Sequence, residues 1–244
     1  MRRSLLVVPA LSALILLPQA GQADDFDFDF EANPQQADFK SVVEDLSAAF
    51  NSKSLAPAEA MGITGFGIAV FGSYVEPDDA GAWQRLIGED VQEIGLVGIV
   101  AQKGLPLGID IGASYAQVPG EDAKVFGAEI RYAILEGGVA SPALGVRASY
   151  SSLNGVDEIG YDSYGLDVSI SKGVGPLTPY AGVGYVWSDI EVKDDAAALL
   201  LDDESVDETR LFIGLRLSAL FGITPEYERV GDRDAFNLRV GFAF

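Results

Sequence analysis

The sequence predicts an all-β chain, a closed antiparallel up-and-down transmembrane β-barrel of about ten strands led by one short helix. Three observations carry that prediction. From Gly62 onward, apolar residues recur at every second position, in blocks of about 9–11 residues, the length a tilted strand needs to cross a bilayer. The segments between blocks alternate between short turns and longer loops. The chain closes on "AFNLRVGFAF", which sets Phe236, Leu238, Val240, Phe242 and Phe244 on one face against Asn237, Arg239 and Gly241 on the other.

The elements follow in order. "MRRSLLVVPALSALILLPQAGQA" (1–23) has two arginines, an apolar run and small residues at 21 and 23, the pattern of a removable export leader. Its apolar run is shorter than the ~20 residues that a membrane-crossing helix requires. "DDFDFDFEANPQQ" reads as an acidic, solvated segment, and with the stretch up to residue 61 it forms an N-terminal extension (24–61) ahead of the barrel (62–244). Within it Phe39, Val42, Val43, Leu46 and Phe50 recur at helical spacing, predicting an amphipathic helix over about 37–50 that plugs a barrel, lies on a membrane surface or docks elsewhere. "NSKSLAPAEAMG" reads as a linker.

The strands begin with "GITGFGIAVFGSYV", where Phe66, Ile68, Val70 and Tyr74 oppose Gly67, Ala69 and Ser73. The same alternation runs through "IGLVGIVAQK", "GIDIGASYAQV", "VFGAEIRYAI", "ALGVRASYSSL", "SYGLDVSISK", "LTPYAGVGYVWS", "TRLFIGLRLSAL" and "GITPEYERV" before the final block. The second block is apolar on both faces and, with the ninth, is the weakest, so eight strands is the alternative count. Long connections are expected at 76–93, "NGVDEIGYD" and 189–208, short ones at "GLPLG", "GVGP" and "FG", which puts both chain ends on the short-turn side. With odd strands running toward the long loops, the outward aromatics gather at two levels, as interface girdles do. Tyr74, Tyr115, Phe126, Tyr150, Tyr164, Tyr185, Trp187, Tyr227 and Phe236 collect near the long loops, and Phe66, Tyr132 and Phe242 near the short turns.

Taken together, leader, alternating blocks, girdles and the terminal "FNLRVGFAF" resemble the bacterial outer-membrane β-barrels, the small OmpA/OmpW-like class among them. The resemblance covers about residues 62–244. It implies an outer-membrane chain with periplasmic N- and C-termini, in contact with outer-membrane lipid and lipopolysaccharide. It also implies that Phe244 and the strand before it are read by the barrel-assembly machinery. A soluble lipocalin-like barrel, with its apolar faces turned inward, is the remote alternative.

Composition narrows the chemistry. Sixteen Lys and Arg stand against 37 Asp and Glu, so nucleic acid, whose phosphates need basic partners, is excluded. The chain has no His and no Cys, which removes the commonest general base and the thiol nucleophile. No enzyme, cofactor or metal centre is expected. Asp232 and Asp234 in "GDRD" read as turn residues, and the acidic loops as solvated surface, with Ca²⁺ or Mg²⁺ binding the alternative. On the inward face fall Asp110, Glu129, Arg131, Arg147, Asp167, Arg210, Arg216, Glu226, Glu228 and Arg239. Both signs on neighbouring strands point to interior ion pairs such as Arg216 with Glu226 or Glu228, filling a narrow barrel; a small pore lined by these charges is the second reading.

Overall fold

The computed structural model describes residues 28–138 and 141–243. The exposed face of each strand is apolar and the covered face is mixed, so the sheet is stable only if it closes on itself. It does so with ten antiparallel strands in meander order, the first pairing with the last. They are β1 (Phe66–Val75), β2 (Ile94–Gly104), β3 (Ile109–Gln117), β4 (Lys124–Glu136), β5 (Ala143–Asn154), β6 (Ile159–Ser171), β7 (Leu177–Val192), β8 (Glu204–Ser218), β9 (Gly222–Val230) and β10 (Arg233–Ala243). The seam aligns Val70 of β1 with Val240 of β10. Ten strands is therefore the count, and the eight-stranded alternative fails.

Strand faces follow the period-2 pattern. Ile68, Leu166, Val183 and Ile213 point outward at 49%, 53%, 56% and 59% exposure, the reverse of a soluble ligand-binding barrel. The long-loop girdle is built of three cross-strand pairs, Tyr115–Phe126, Tyr150–Tyr164 and Tyr227–Phe236, with ring centroids 5.1, 5.2 and 5.5 Å apart, and of Tyr185 stacked on Trp187 of the same strand at 6.1 Å. Tyr74 lies opposite Phe236 in the seam. Phe66, Tyr132 and Phe242 are exposed near the other rim. Phe244 lies outside the described residues.

Two expected loops are shorter than the sequence suggests. β6 begins at Ile159, and β7 and β8 run to Val192 and from Glu204. Their upper residues Ile159, Tyr161, Ile190 and Val206 are buried, so here the apolar side faces inward and the lipid-facing pattern is lost. The first loop carries a short helix, α2 (Ala80–Ile87), with Asp79 accepting from the Gly81 amide at 2.9 Å and Gly88 in the left-handed region at φ 77°.

The N-terminal helix, α1 (Gln36–Phe50), stands inside the barrel. Helix and wall touch on several sides: Ser47 Oγ meets Ser188 Oγ of β7 at 2.8 Å, the Phe50 ring meets Tyr161 of β6 at 5.8 Å, and Arg233 of β10 donates from Nε to Asp45 Oδ1 at 2.9 Å. That enclosure explains why Ala48, Ala49 and Ser47 are buried along with the predicted stripe Phe39, Val42, Val43, Leu46 and Phe50. The core of the protein is therefore the long-loop half of the lumen. It also explains why β2 is apolar on both faces: Leu96 is buried against this core while Val97 and Ile99 face outward.

From Phe50 the chain continues down the lumen to Gly62 and turns into β1 at the short-turn rim. The stretch expected to be a linker is thus an internal strut. The start of α1 and the chain upstream of it lie at the opposite rim: Gln36 Nε2 donates to Glu204 Oε2 at 2.8 Å, the Glu31 amide to the Leu86 carbonyl at 2.8 Å, and Phe28 packs edge-on to Trp83 at 6.0 Å. The expectation that both chain ends lie on the short-turn side concerns, for the N-terminal one, residues outside those described, and the first described residue lies at the other rim. β10 ends at the short-turn rim, whereas Phe28 sits among the long loops, because the helix enters the barrel from that side.

Candidate functional site

The lower half of the lumen holds the only long non-helical, unpaired stretch of backbone enclosed by the wall among the described residues, 51–61. Enclosed peptide groups without water or a ladder partner cost free energy comparable to a lost hydrogen bond each. Here the charged wall supplies the partners. Arg147 of β5 donates from Nη2 to the Ser52 carbonyl at 2.8 Å, the Ser52 hydroxyl at 2.7 Å and the Lys53 carbonyl at 3.1 Å. Arg210 of β8 reaches the Ser52 carbonyl at 3.1 Å, and Arg239 of β10 the Leu55 carbonyl at 3.2 Å. Arg131 of β4 donates to the carbonyls of Ala56 and Pro57 at 2.9 and 3.1 Å.

Carboxylates and hydroxyls take the amides. Leu55 N–H donates to Glu226 Oε2 at 3.1 Å, Ala58 N–H to Ser171 Oγ at 3.1 Å, and Met61 N–H to Asp110 at 3.1 and 3.2 Å. At the helix end, Asn51 Nδ2 donates to the Ser47 and Ala48 carbonyls at 3.0 and 2.8 Å. Lys53 Nζ also reaches the Ala48 carbonyl, so the last turn of α1 is closed without a glycine.

The wall charges are balanced as a chain of pairs that includes the strut. Glu129 accepts from Arg147 Nε at 2.6 Å and from Gln102 at 2.6 Å; Asp167 accepts from Arg147 Nη1 at 2.8 Å and lies 3.3 Å from Arg210. Arg210 Nε meets Glu228 Oε1 at 2.8 Å, and Glu228 is also 3.1 Å from Lys53 Nζ. All of these side chains are at most 6% exposed. Removing one partner of such a buried pair costs more than the pair contributes, because the other charge stays enclosed.

Nine of the ten predicted inward charges, all but Arg216, contact the strut directly or through one neighbour. The pairing expected for Arg216 does not form: Glu228 is taken by Lys53 and Arg210, and Glu226 accepts from Tyr180 Oη at 2.8 Å and Asn237 Nδ2 at 3.2 Å. Arg216 lies instead at the short-turn rim, where it lines a cavity of ≈ 90 Å³ with Arg239, Ser218 and Thr224.

Lys53, Ser52 and Tyr180 were not among the sequence candidates. The signal for the strut is composition: "NSKSLAPAEAMG" is small-residue rich, as a peptide threaded through a narrow tube must be. Tyr180 and Phe212 lie on facing glycines, Gly214 and Gly182, which their register partners supply.

Solved structures of small outer-membrane barrels are similar to this chain. The N-terminal β-barrel domain of Pseudomonas aeruginosa OprF aligns at 14% identity over 75% of this chain and 99% of that one, with a TM-score of 0.36. The KdgM porin in complex with disordered oligogalacturonate aligns at 7% identity over 73% and 99%, TM-score 0.39, and OprG from Pseudomonas aeruginosa at 12% identity over 76% and 98%, TM-score 0.34. No family model and no curated protein matches the chain. At these scores the likeness carries neither ligand nor role, and the fold stands on the strand pairing of this chain.

Among the described residues no group of three or more acidic side chains is gathered closely enough to hold a metal ion. Asp232 and Asp234 lie at the β9–β10 turn, where Arg229 pairs with both at 3.2 and 3.5 Å.

Proposed function

We propose that the protein is a non-enzymatic outer-membrane β-barrel, closed by its own N-terminal segment, with a structural or surface-interaction role in the envelope of a Gram-negative bacterium. The observation that carries this reading is the filled lumen: α1 occupies the long-loop half and residues 51–61 the other, with backbone groups of the latter bonded to wall side chains. That filling argues against a continuous aqueous path through the lumen. The apolar outer face and two aromatic levels suit a wall immersed in outer-membrane lipid and lipopolysaccharide, with the long loops outside and the short turns in the periplasm. The lack of His and Cys removes the usual catalytic bases and nucleophiles. The C-terminal strand, apolar on its outer face, is the segment offered to the barrel-assembly machinery.

Planar-bilayer recording tests the reading. The full chain is expected to give no steady openings. Steady openings whose ion selectivity shifts in Arg147→Met or Glu129→Gln would replace the closed barrel with a narrow channel.

A further inference from the structure

We infer that the chain threads its own barrel, so that the N-terminus of the exported protein is displayed on the cell surface beside the long loops. The inference rests on the outer-membrane orientation proposed above, but the threading comes from the path of residues 28–61. That path begins at the long-loop rim, where the Glu31 amide is bonded to the Leu86 carbonyl of α2 and Gln36 to the backbone and side chain of the β7–β8 loop and β8. It ends at the short-turn rim, where Met61 is bonded to Asp110 and Gly104 N–H to the Gly65 carbonyl as the chain enters β1.

The start of the path is fastened rather than loosely placed. Phe28 is fully buried and packs on Phe30 at 5.4 Å and Trp83 at 6.0 Å, Phe30 packs on Phe39 at 6.1 Å, and Arg85 of α2 bridges Asp38 of α1 and Asp79 at 2.8 and 2.9 Å. The first loop is thus a clamp closed over the point where the N-terminal segment leaves the lumen.

Chain length then decides where the terminus lies. If the leader is removed after Ala23, four residues precede Phe28, and fully extended they span at most ~14 Å. The hydrocarbon core alone is about 30 Å thick, so they cannot return to the periplasmic side. To return through the lumen the segment would also have to pass the helix and the strut, which already occupy its two halves. The leader must therefore be cut before the segment is enclosed, and the barrel must close its β1–β10 seam around a chain already lying within it. What is displayed is an acidic stretch with aromatic residues, ending in the exposed Asp29, Glu31 and Asn33. Any sequence fused in front of Asp24 would be carried to the same face.

Because the chain has no cysteine, single-cysteine labelling of intact cells with a membrane-impermeant maleimide tests this directly. Three variants serve: Asn33→Cys in the N-terminal segment, Leu199→Cys in the β7–β8 loop and Leu220→Cys in the β8–β9 turn, all exposed. Each is first shown to migrate as a compact species before heating. Threading with surface display requires Asn33→Cys and Leu199→Cys to label on intact cells to a similar extent, and Leu220→Cys only after permeabilisation. Labelling of Leu199→Cys with silence of Asn33→Cys would overturn the threading and leave the membrane orientation standing. Labelling of Leu220→Cys but not Leu199→Cys would overturn the orientation, and with it the display. Recovery of all three in a soluble periplasmic fraction would overturn the membrane reading itself.

Discussion

Arg147 is the residue through which barrel and strut are most directly joined, and Arg147→Met separates their contributions. The guanidinium makes three bonds to the strut, at 2.7, 2.8 and 3.1 Å, and one each to Glu129 and Asp167. Bonds to a charged donor contribute about 1.5–3 kcal/mol each and do not add fully, so the three together are taken as roughly 3 kcal/mol of anchoring. At about 1.4 kcal/mol per decade, that raises the population with 51–61 released about 150-fold. The substitution also strips the cation from two buried carboxylates, a loss of about 3–5 kcal/mol in comparable pairs. Arg147→Met with Glu129→Gln removes one of those charges but leaves the strut carbonyls without their donor. Hydrogen exchange in lipid vesicles, followed peptide by peptide, reads both effects. In the single variant residues 51–61 exchange about two decades faster and β4 to β6 loosen. In the double variant the strands recover and 51–61 do not. A single variant that runs compact before heating and leaves exchange at 51–61 unchanged would refute the claim that the wall charges hold the strut.

Two further outcomes follow from local geometry. A Cβ on Gly214 would collide with the ring of Tyr180, whose hydroxyl is bonded to Glu226 at 2.8 Å. Gly214→Val is therefore expected to lower unfolding stability in urea by about 1–3 kcal/mol, whereas Gly95→Ala, with nothing within 4 Å of the new carbon, leaves the midpoint unchanged. At the long-loop rim two carboxylates respond to pH with opposite sign. Burial pushes Asp45 above its ordinary 3.8 despite the bonds from Arg233 and Trp83, while the bond from Arg85 holds Asp79 below 3.8. As pH falls, the α1–α2 contact should first tighten as Asp45 takes up its proton, then loosen below 3.8 as Asp79 loses its charge. Trp83 fluorescence in a Trp187→Phe background follows both steps, and Asp79→Asn should abolish the second alone; a single monotonic change would contradict the assignment.

Much of the fold is written in local periodicity. Alternation from Phe66 to Phe242 sets the strands, their outward faces and the two aromatic levels, because a side chain in a pleated strand points to one face or the other whatever it later meets. The same alternation places Arg147, Asp167, Arg210 and Glu228 inside, and a period near 3.6 marks α1. Local pattern is silent on what an inward side chain touches. Lys53 and Glu228 meet at 3.1 Å although 175 residues apart, and Arg216 is left out of the pairs that its neighbours on β8 and β9 make. It is equally silent on the upper lumen, where Leu96, Tyr161 and Ile190 turn apolar faces inward because a helix stands there. The sequence by itself determined a barrel with an apolar exterior and charges within. Only the closed tertiary structure decided that those charges serve a threaded segment and that Phe28 and the end of β10 lie at opposite rims, since both facts depend on contacts between residues that no local spacing relates.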